Sequence, residues 1–251
     1  MDASTRTRFD LRTRWKVRGF HSLNRHTDLL TDRFGAPTAA VMRREMLDEY
    51  RALIPHVPYI GGHRNAQSQS MVLSPWALAL YRVVARHGGS VQDVGEVIHH
   101  AMRERVERIP RRLRPWMGRR TYRKARAAKN ARWSQERRYP DDFVYEDVDG
   151  DGQPFDYGID FTQCAIVKFL HAQGADELAP YLCDLDYVMA SAFGVSLTRT
   201  KTLGWGCDRC DFRFTVPGQT TAPWPPRFLE RTCGRPEPSA PAMPNPPHVA
   251  P

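Results

Sequence analysis

Between Asp160 and Phe212 the chain gathers Cys164, Cys183 and Cys210 with Asp160, Asp186 and Asp211, residue types that supply nucleophiles and proton carriers. Cys164 follows Thr162 by two residues, and Thr162 reads as the cap of a helix ending near Gly174. This sets Cys164 in the first helical turn. Backbone N–H groups and the helix dipole favour an anion there, so the thiol pKa should fall. Lys168 and His171 come four and seven residues later on the same face, and either could support the thiolate or move a proton. A buried structural cysteine on an amphipathic helix fits the same spacing. Cys183 and Asp186 are three apart on the next helix, with Tyr187 beside them. A carboxylate next to a thiol acts as general base or orients a substrate amine. An ordinary surface acid would look the same. Asp184 points elsewhere and reads as solvated.

Other patterns carry weaker chemistry. Cys207-Asp208-Arg209-Cys210 is a C-x-x-C, alone only half of a zinc site. Cys164 and Cys183 lie on separate helices and form no knuckle with it. A redox C-x-x-C would want a helix after its first cysteine, where a strand is expected. No metal is therefore assigned. Asp147-Val148-Asp149-Gly150-Asp151-Gly152 imitates the start of a calcium loop, but its twelfth position is Gly158 instead of Glu, and a polar hairpin turn explains it better. His99 and His100 form no ligand spacing with another metal-binding residue and read as structural.

The net charge of +9 is concentrated. Residues 103–138 hold fifteen Lys/Arg against three Asp/Glu, a balance of +12, and the remaining 22 basic and 25 acidic residues carry −3. Trp116, Tyr122 and Trp133 are interleaved there, a mixture that suits phosphate contact and base stacking. A solvated helix that buries its aromatics fits better, so nucleic acid is not the expected partner. No apolar run approaches the roughly eighteen residues of a membrane span. The basic N-terminus lacks the apolar stretch of a secretory signal, and an odd five cysteines argue against a disulfide scaffold. Cytoplasmic, reducing surroundings follow as an expectation.

These residues must be positioned by helices first and strands later. Helices are expected from Pro37 to about Leu53, up to Ala85 from a start capped by Ser74 with Pro75 in its first turn, and onward from Ser90 with Asp93 completing a capping box. A fourth runs from about Tyr122 to Arg137. Phe143–Tyr145 and Phe155–Phe161 form a hairpin about the Asp149–Gly152 turn. Two helices follow, the second from about Asp176 to Phe193, and then strands over 195–203 and 210–216. The expected class is α+β, with N-terminal helices packed on a small antiparallel sheet and a helical pair between its two hairpins. Residues 1–22 read as a basic lead-in, 23–216 as a single domain, and 217–251 as a Pro-rich tail, disordered or loosely docked.

Four blocks resemble the L-2-amino-thiazoline-4-carboxylic acid hydrolase family. They are Ile54-Pro55 through Pro58-Tyr59-Ile60-Gly61-Gly62 with Asn65, Ser134-Gln135 through Arg138-Tyr139-Pro140-Asp141-Asp142-Phe143-Val144, Phe155 through Cys164 on to Asp186, and Leu197-Thr198-Arg199-Thr200 through Phe214. The family's recurring cysteines match Cys164, Cys183 and Cys210, and its acids match Asp160, Asp186 and Asp211. Cys207, the basic segment and the Pro-rich tail fall outside the pattern. The resemblance implies hydrolytic opening of a 2-amino-thiazoline ring to a carbamoyl-cysteine, with a small molecule as partner and neither metal nor cofactor. It implies Cys164 or Cys183 as nucleophile and Asp186 as general base or amidinium partner, with Cys210 and Asp211 in the same catalytic group. Arg199 or Asn65 would hold the substrate carboxylate, with Asp160 and His171 on the binding side. A non-catalytic binding domain of the same fold is the competing reading.

Overall fold

A computed structural model describes residues 20–21, 23–25, 27–110, 112–114, 120–226 and 233. The class is α+β. Among the described residues five α-helices come first: α1 (Asp28–Phe34), α2 (Ala36–Leu53), α3 (Ser70–Arg86), α4 (Val91–Glu107) and α5 (Arg120–Gln135). The hairpin β1 (Val144–Asp149) and β2 (Tyr157–Gln163) follows, then the helical pair α6 (Ala165–Ala172) and α7 (Ala179–Ala192), and finally β3 (Ser196–Thr198) and β4 (Cys210–Thr215). The sheet is antiparallel with strand order β1-β2-β4-β3.

Helix α3 is the hub of the helical layer. Met71, Trp76, Leu78, Leu80, Val83 and Val84 are all buried along it, and α2, α4 and α6 pack around it. The helix starts at Ser70, four residues before the expected cap, and Pro75 lies inside it. The chain enters through a 3-10 turn, Ala66–Gln69, that Asn65 caps by accepting the Gln67 N–H at 2.8 Å. Pro75 stays close enough to this end that only one early intrahelical bond is lost. At α4 the capping box forms as the residue types require: the Asp93 carboxylate accepts the Ser90 N–H at 2.7 Å, and Ser90 Oγ accepts the Asp93 N–H at 3.3 Å. Phe20, placed in the lead-in by composition, is buried with its ring 4.8 Å from that of Tyr50. Residues 1–19 lie outside the described residues.

The sheet's two faces differ. Ile159, Phe161, Cys210 and Phe212 turn to the helices, while Asp160, Asp211 and Arg213 alternate onto the other face. The hairpin turn is held by its own aspartate, because Asp149 accepts the Asp151 N–H at 3.2 Å and meets Lys124 at 2.7 Å. Helix α5 covers β1 with its small buried residues Ala127, Ala131 and Ser134, and leaves Arg126, Lys129 and Arg132 exposed. Ser134 Oγ accepts the Tyr145 N–H at 3.0 Å, and Gln135 Nε2 donates to the Tyr145 carbonyl at 2.9 Å. At the other edge Thr220 Oγ1 accepts the Leu197 N–H at 2.8 Å. Trp133 stacks under the Arg138 guanidinium at 4.4 Å, while Trp116 lies outside the described residues. Among the described residues no helix is long and apolar enough to cross a membrane.

In the C-terminal part the docked alternative holds for the described residues 217–226, and one expectation about the cysteines is corrected. Residues 217–226 dock, with the Gly218 N–H on the Gly194 carbonyl at 2.9 Å and Thr220 Oγ1 on the Val195 carbonyl at 2.7 Å. Cys207, expected among free thiols, is disulfide-bonded to Cys233, which places Cys233 on the domain. Cys164, Cys183 and Cys210 are the free cysteines.

Asn65 is also placed differently from the expectation. It is buried, and its amide nitrogen donates to the Ile60 carbonyl at 2.6 Å and to the Asp142 carboxylate at 2.7 and 2.8 Å. It is a strut between the Gly61–Gly62 turn and the 140–143 loop and has no donor left for a substrate carboxylate. Burial raises the Asp142 pKa, and the bonds from Asn65 and the Phe143 N–H work against that rise. Asn65→Ala leaves both the Asp142 carboxylate and the Ile60 carbonyl short of a partner. We expect a loss of about 2 kcal/mol in urea denaturation. A midpoint equal to that of the parent would remove the strut role.

Candidate active site

Four elements converge behind the sheet. Helix α7 brings Cys183 and Asp186 on one face, as their three-residue spacing requires. Its opposite face packs on α4, where Gly95 makes room: a Cβ there would lie 2.1 Å from Tyr181 Cδ1. Cys210 enters from β4, and Arg199 from the loop after β3. Cys164 is the residue just before α6, because β2 runs on through Thr162 to Gln163.

Arg199 organises the group. Its side chain is 0% exposed, Nη1 donates to Asp186 Oδ2 at 2.8 Å, and Nη2 donates to the Cys183 carbonyl at 2.9 Å. The guanidinium lies 5.0 Å from the Tyr187 ring and 4.9 Å from the Phe212 ring, so the cation is held between aromatic faces. Its Nε is buried with no hydrogen-bond partner. Asp186 is protein-bound on the Arg199 side and open on the other, with 46% of its side chain accessible.

The turn after Arg199 holds the sulfurs. Cys210 Sγ accepts the Leu203 N–H at 3.2 Å and touches Thr202 Oγ1 at 3.1 Å. The same hydroxyl donates to Cys183 Sγ at 3.5 Å. Gly204 lets the turn approach, since a Cβ there would stand 2.8 Å from Cys183 Sγ. Asp211 fixes this loop from the far face of the sheet by accepting the Thr200 N–H at 2.9 Å, the Lys201 N–H at 2.5 Å and the Thr200 hydroxyl at 2.5 Å.

Electrostatics correct the expectation for Cys164. Burial pushes its thiol well up, and nearby Cys183 adds to the rise. The first-turn N–H groups of Val167 and Ile166 oppose it without prevailing. Burial likewise raises Cys183, against the pull of Arg199 and the Thr202 hydroxyl, and pushes Cys210 up to about 12. Burial thus favours the neutral thiol at all three. Burial also raises Asp186 above the ordinary 3.8, with Arg199 working against it. Solvent reaches nearly half of that side chain, so water offsets part of the rise.

The structure thus brings together Cys183, Asp186, Arg199 and Cys210, with Cys164 close enough to couple electrostatically to Cys183 and Cys210. Other expected residues fall elsewhere. His171 is exposed and pairs with Asp176 at 3.0 Å, and Lys168 turns to Asp141 at 2.9 Å. Asp160 lies on the outer sheet face with Arg213 at 2.6 Å and Arg209 at 3.6 Å. Asp211 shares that face and acts through the loop it holds. Arg199, expected to bind substrate, already spends both Nη groups within the protein. Asp184 is buried and meets His99 Nδ1 at 3.0 Å, where solvation was expected. Sequence reasoning passed over Thr202 and the Leu203 N–H. The one available signal was Thr202-Leu203-Gly204 just before the C-x-x-C. A surface depression of about 280 Å³ at Leu29, Arg33, Phe34 and Asp93 shares no residue with this group.

A family model described as L-2-amino-thiazoline-4-carboxylic acid hydrolase matches residues 66–214. The chain belongs to this hydrolase family. The matched span takes in β1 to β3, β4 as far as Phe214, and every residue of the Cys183–Asp186–Arg199 group. Of the four blocks, the Ile54–Asn65 block lies before the match, and Cys233 lies after it. Comparisons with the curated proteins and with the solved structures returned no match. The matched span therefore contains a cluster of thiols, one open carboxylate and a sequestered guanidinium. Among the described residues no three His, Cys, Asp or Glu side chains are grouped to hold a metal ion.

Proposed function

We propose that this protein is a hydrolase that opens a small sulfur- and nitrogen-containing ring of the 2-amino-thiazoline-4-carboxylate type, with Cys183 as nucleophile and Asp186 as its proton carrier. The observation that carries the reading is the pairing of a half-open carboxylate with a thiol on one helix face, both fixed by Arg199. The attack puts Cys183 Sγ on the amidine-like C2 carbon while the thiol proton passes to Asp186. The ring C–S bond then breaks, and the leaving sulfur takes that proton. Water next attacks C2, the Cys183 sulfur leaves as thiol, and the product is a carbamoyl-cysteine. A raised Asp186 pKa makes the carboxylate a stronger base toward a neutral thiol. Cys164 and Cys210 line the thiol side, and Cys210 is the more deeply buried.

The test is release of free thiol from 2-amino-thiazoline-4-carboxylate by the purified protein, with mass spectrometry of the quenched enzyme. Turnover with a substrate-derived adduct on Cys183 is expected. Turnover with no adduct on any cysteine, under conditions that trap a slow second step, points to direct attack by water and ends the covalent scheme. Failure to turn over this or related cyclic amidines leaves a binding domain of the same fold.

The pH profile gives an independent check. Asp186 must be ionised to take the proton, so kcat/KM falls as pH drops through its raised pKa. The acid limb is expected above the ordinary aspartate value of 3.8. Asp186→Asn should lower the rate by about 10²- to 10⁴-fold and abolish that limb. An unchanged acid limb in the variant would assign the titration to another group.

A further inference from the structure

On the side of α7 away from Cys183, His99 and Asp184 form a buried pair with side chains 5% and 6% exposed. Asp184 engages His99 Nδ1, and His99 Nε2 is buried with no partner. A carboxylate on one ring nitrogen fixes the proton there and leaves the other as an acceptor. The ring of Trp224 closes over this pair, 5.4 Å from the His99 ring and 6.1 Å from that of Tyr181. Trp224 belongs to the docked segment 217–226. Its described anchors are Gly218 and Thr220 at one end and the Cys207–Cys233 disulfide beyond the other. Tyr181, Trp205, Cys207, Trp224 and Cys233 pack as one cluster.

We propose that the Cys207–Cys233 disulfide is a reducible latch that keeps Trp224 seated on the His99–Asp184 pair. Cys207 is buried and Cys233 half-buried, so an incoming thiolate meets Cys233 first. A small dithiol carries the exchange to completion. Its first sulfur bonds to Cys233 and releases Cys207 as thiol, and its second sulfur then closes a ring and releases Cys233. The two electrons and two protons of the dithiol end on the two cysteines. With the bond gone, the end of the segment beyond Thr220 is free to lift, and His99 Nε2 meets solvent and any small hydrogen-bond donor. The latch adjoins the Leu203–Trp205 turn, but the inference does not depend on the ring-opening chemistry.

The test compares the oxidised full chain with the same protein reduced by dithiothreitol and desalted without oxygen. Each is labelled with diethyl pyrocarbonate and read at His99 by peptide mass spectrometry. Exposed His171 is the internal standard. His99 labelling is expected to rise about tenfold or more on reduction, with His171 unchanged. Cys233→Ser should label like the reduced protein without reductant. Trp224→Ala should raise His99 labelling with the disulfide intact. Equal His99 rates in the two states, with Cys207 and Cys233 shown free by alkylation, would overturn the latch. So would full alkylation of both cysteines in protein never exposed to reductant.

Discussion

Cys183→Ala is expected to lower thiol release from the ring substrate by about a thousandfold or more, while Cys164→Ala stays within about tenfold of the parent. Both residues are half-buried and burial raises both thiols, so acidity alone does not rank them. Surroundings do. Cys183 shares a helix face with Asp186, has Arg199 on its carbonyl, and receives the Thr202 hydroxyl. The first-turn N–H groups next to Cys164 bring no carboxylate to take its proton, and Lys168 and His171 point to other partners. Alanine at 183 deletes the attacking atom and leaves the ion pair in place, so the variant should keep its fold. The measurement is single-turnover thiol release, with circular dichroism and a urea midpoint for each variant. A large loss in Cys164→Ala with near-parent rates in Cys183→Ala would move the nucleophile to β2's end and assign Cys183 to packing.

Arg199→Ala should be the most damaging substitution for stability. Breaking a fully buried ion pair costs roughly 3–5 kcal/mol. Because 46% of the Asp186 side chain reaches water, we expect about 2–3 kcal/mol here. The loss also opens a gap between the Tyr187 and Phe212 rings and strands the Cys183 carbonyl. Turnover should fall in step, since Asp186 loses its fixed orientation. Arg199→Lys restores charge at a single point but cannot serve Asp186 and the Cys183 carbonyl with one planar fork. It should recover part of the stability and little of the rate. Urea denaturation and thiol release on the two variants separate these effects. A lysine variant with full rate would mean that charge near Asp186 suffices and the fork geometry does not matter.

Much of the scaffold is legible in the residues because its signals are local. Ser90 and Asp93 specify a capping box from four positions, and Asp149–Gly152 marks where the hairpin reverses, although the connecting loop runs on from Gly150 to Asp156. The pairing of Cys183 with Asp186 follows from helical spacing alone. What is not legible depends on contacts distant in sequence. Asp160 and Asp211 share the motif blocks with Cys164 and Cys210, yet strand alternation sends them to the opposite face of the sheet. The acidity of Cys164 was misread because a helix start is visible in sequence and the burial that outweighs it is not. Asp184 looks solvated on its own helix, and His99 on another helix is what accommodates it. Cys233 sits in a Pro-rich stretch without periodicity, so nothing local points to Cys207.

The small sheet has two outer strands, and in each a side chain already occupies backbone groups that a neighbouring strand would use. Ser134 and Gln135 take the N–H and carbonyl of Tyr145, and Thr220 takes the N–H of Leu197. An open four-stranded sheet would otherwise be a template for strand addition from another chain. These hydroxyl and amide groups cap the sheet at those positions. A strand offered to either border would have to displace these groups before it could pair at Tyr145 or Leu197.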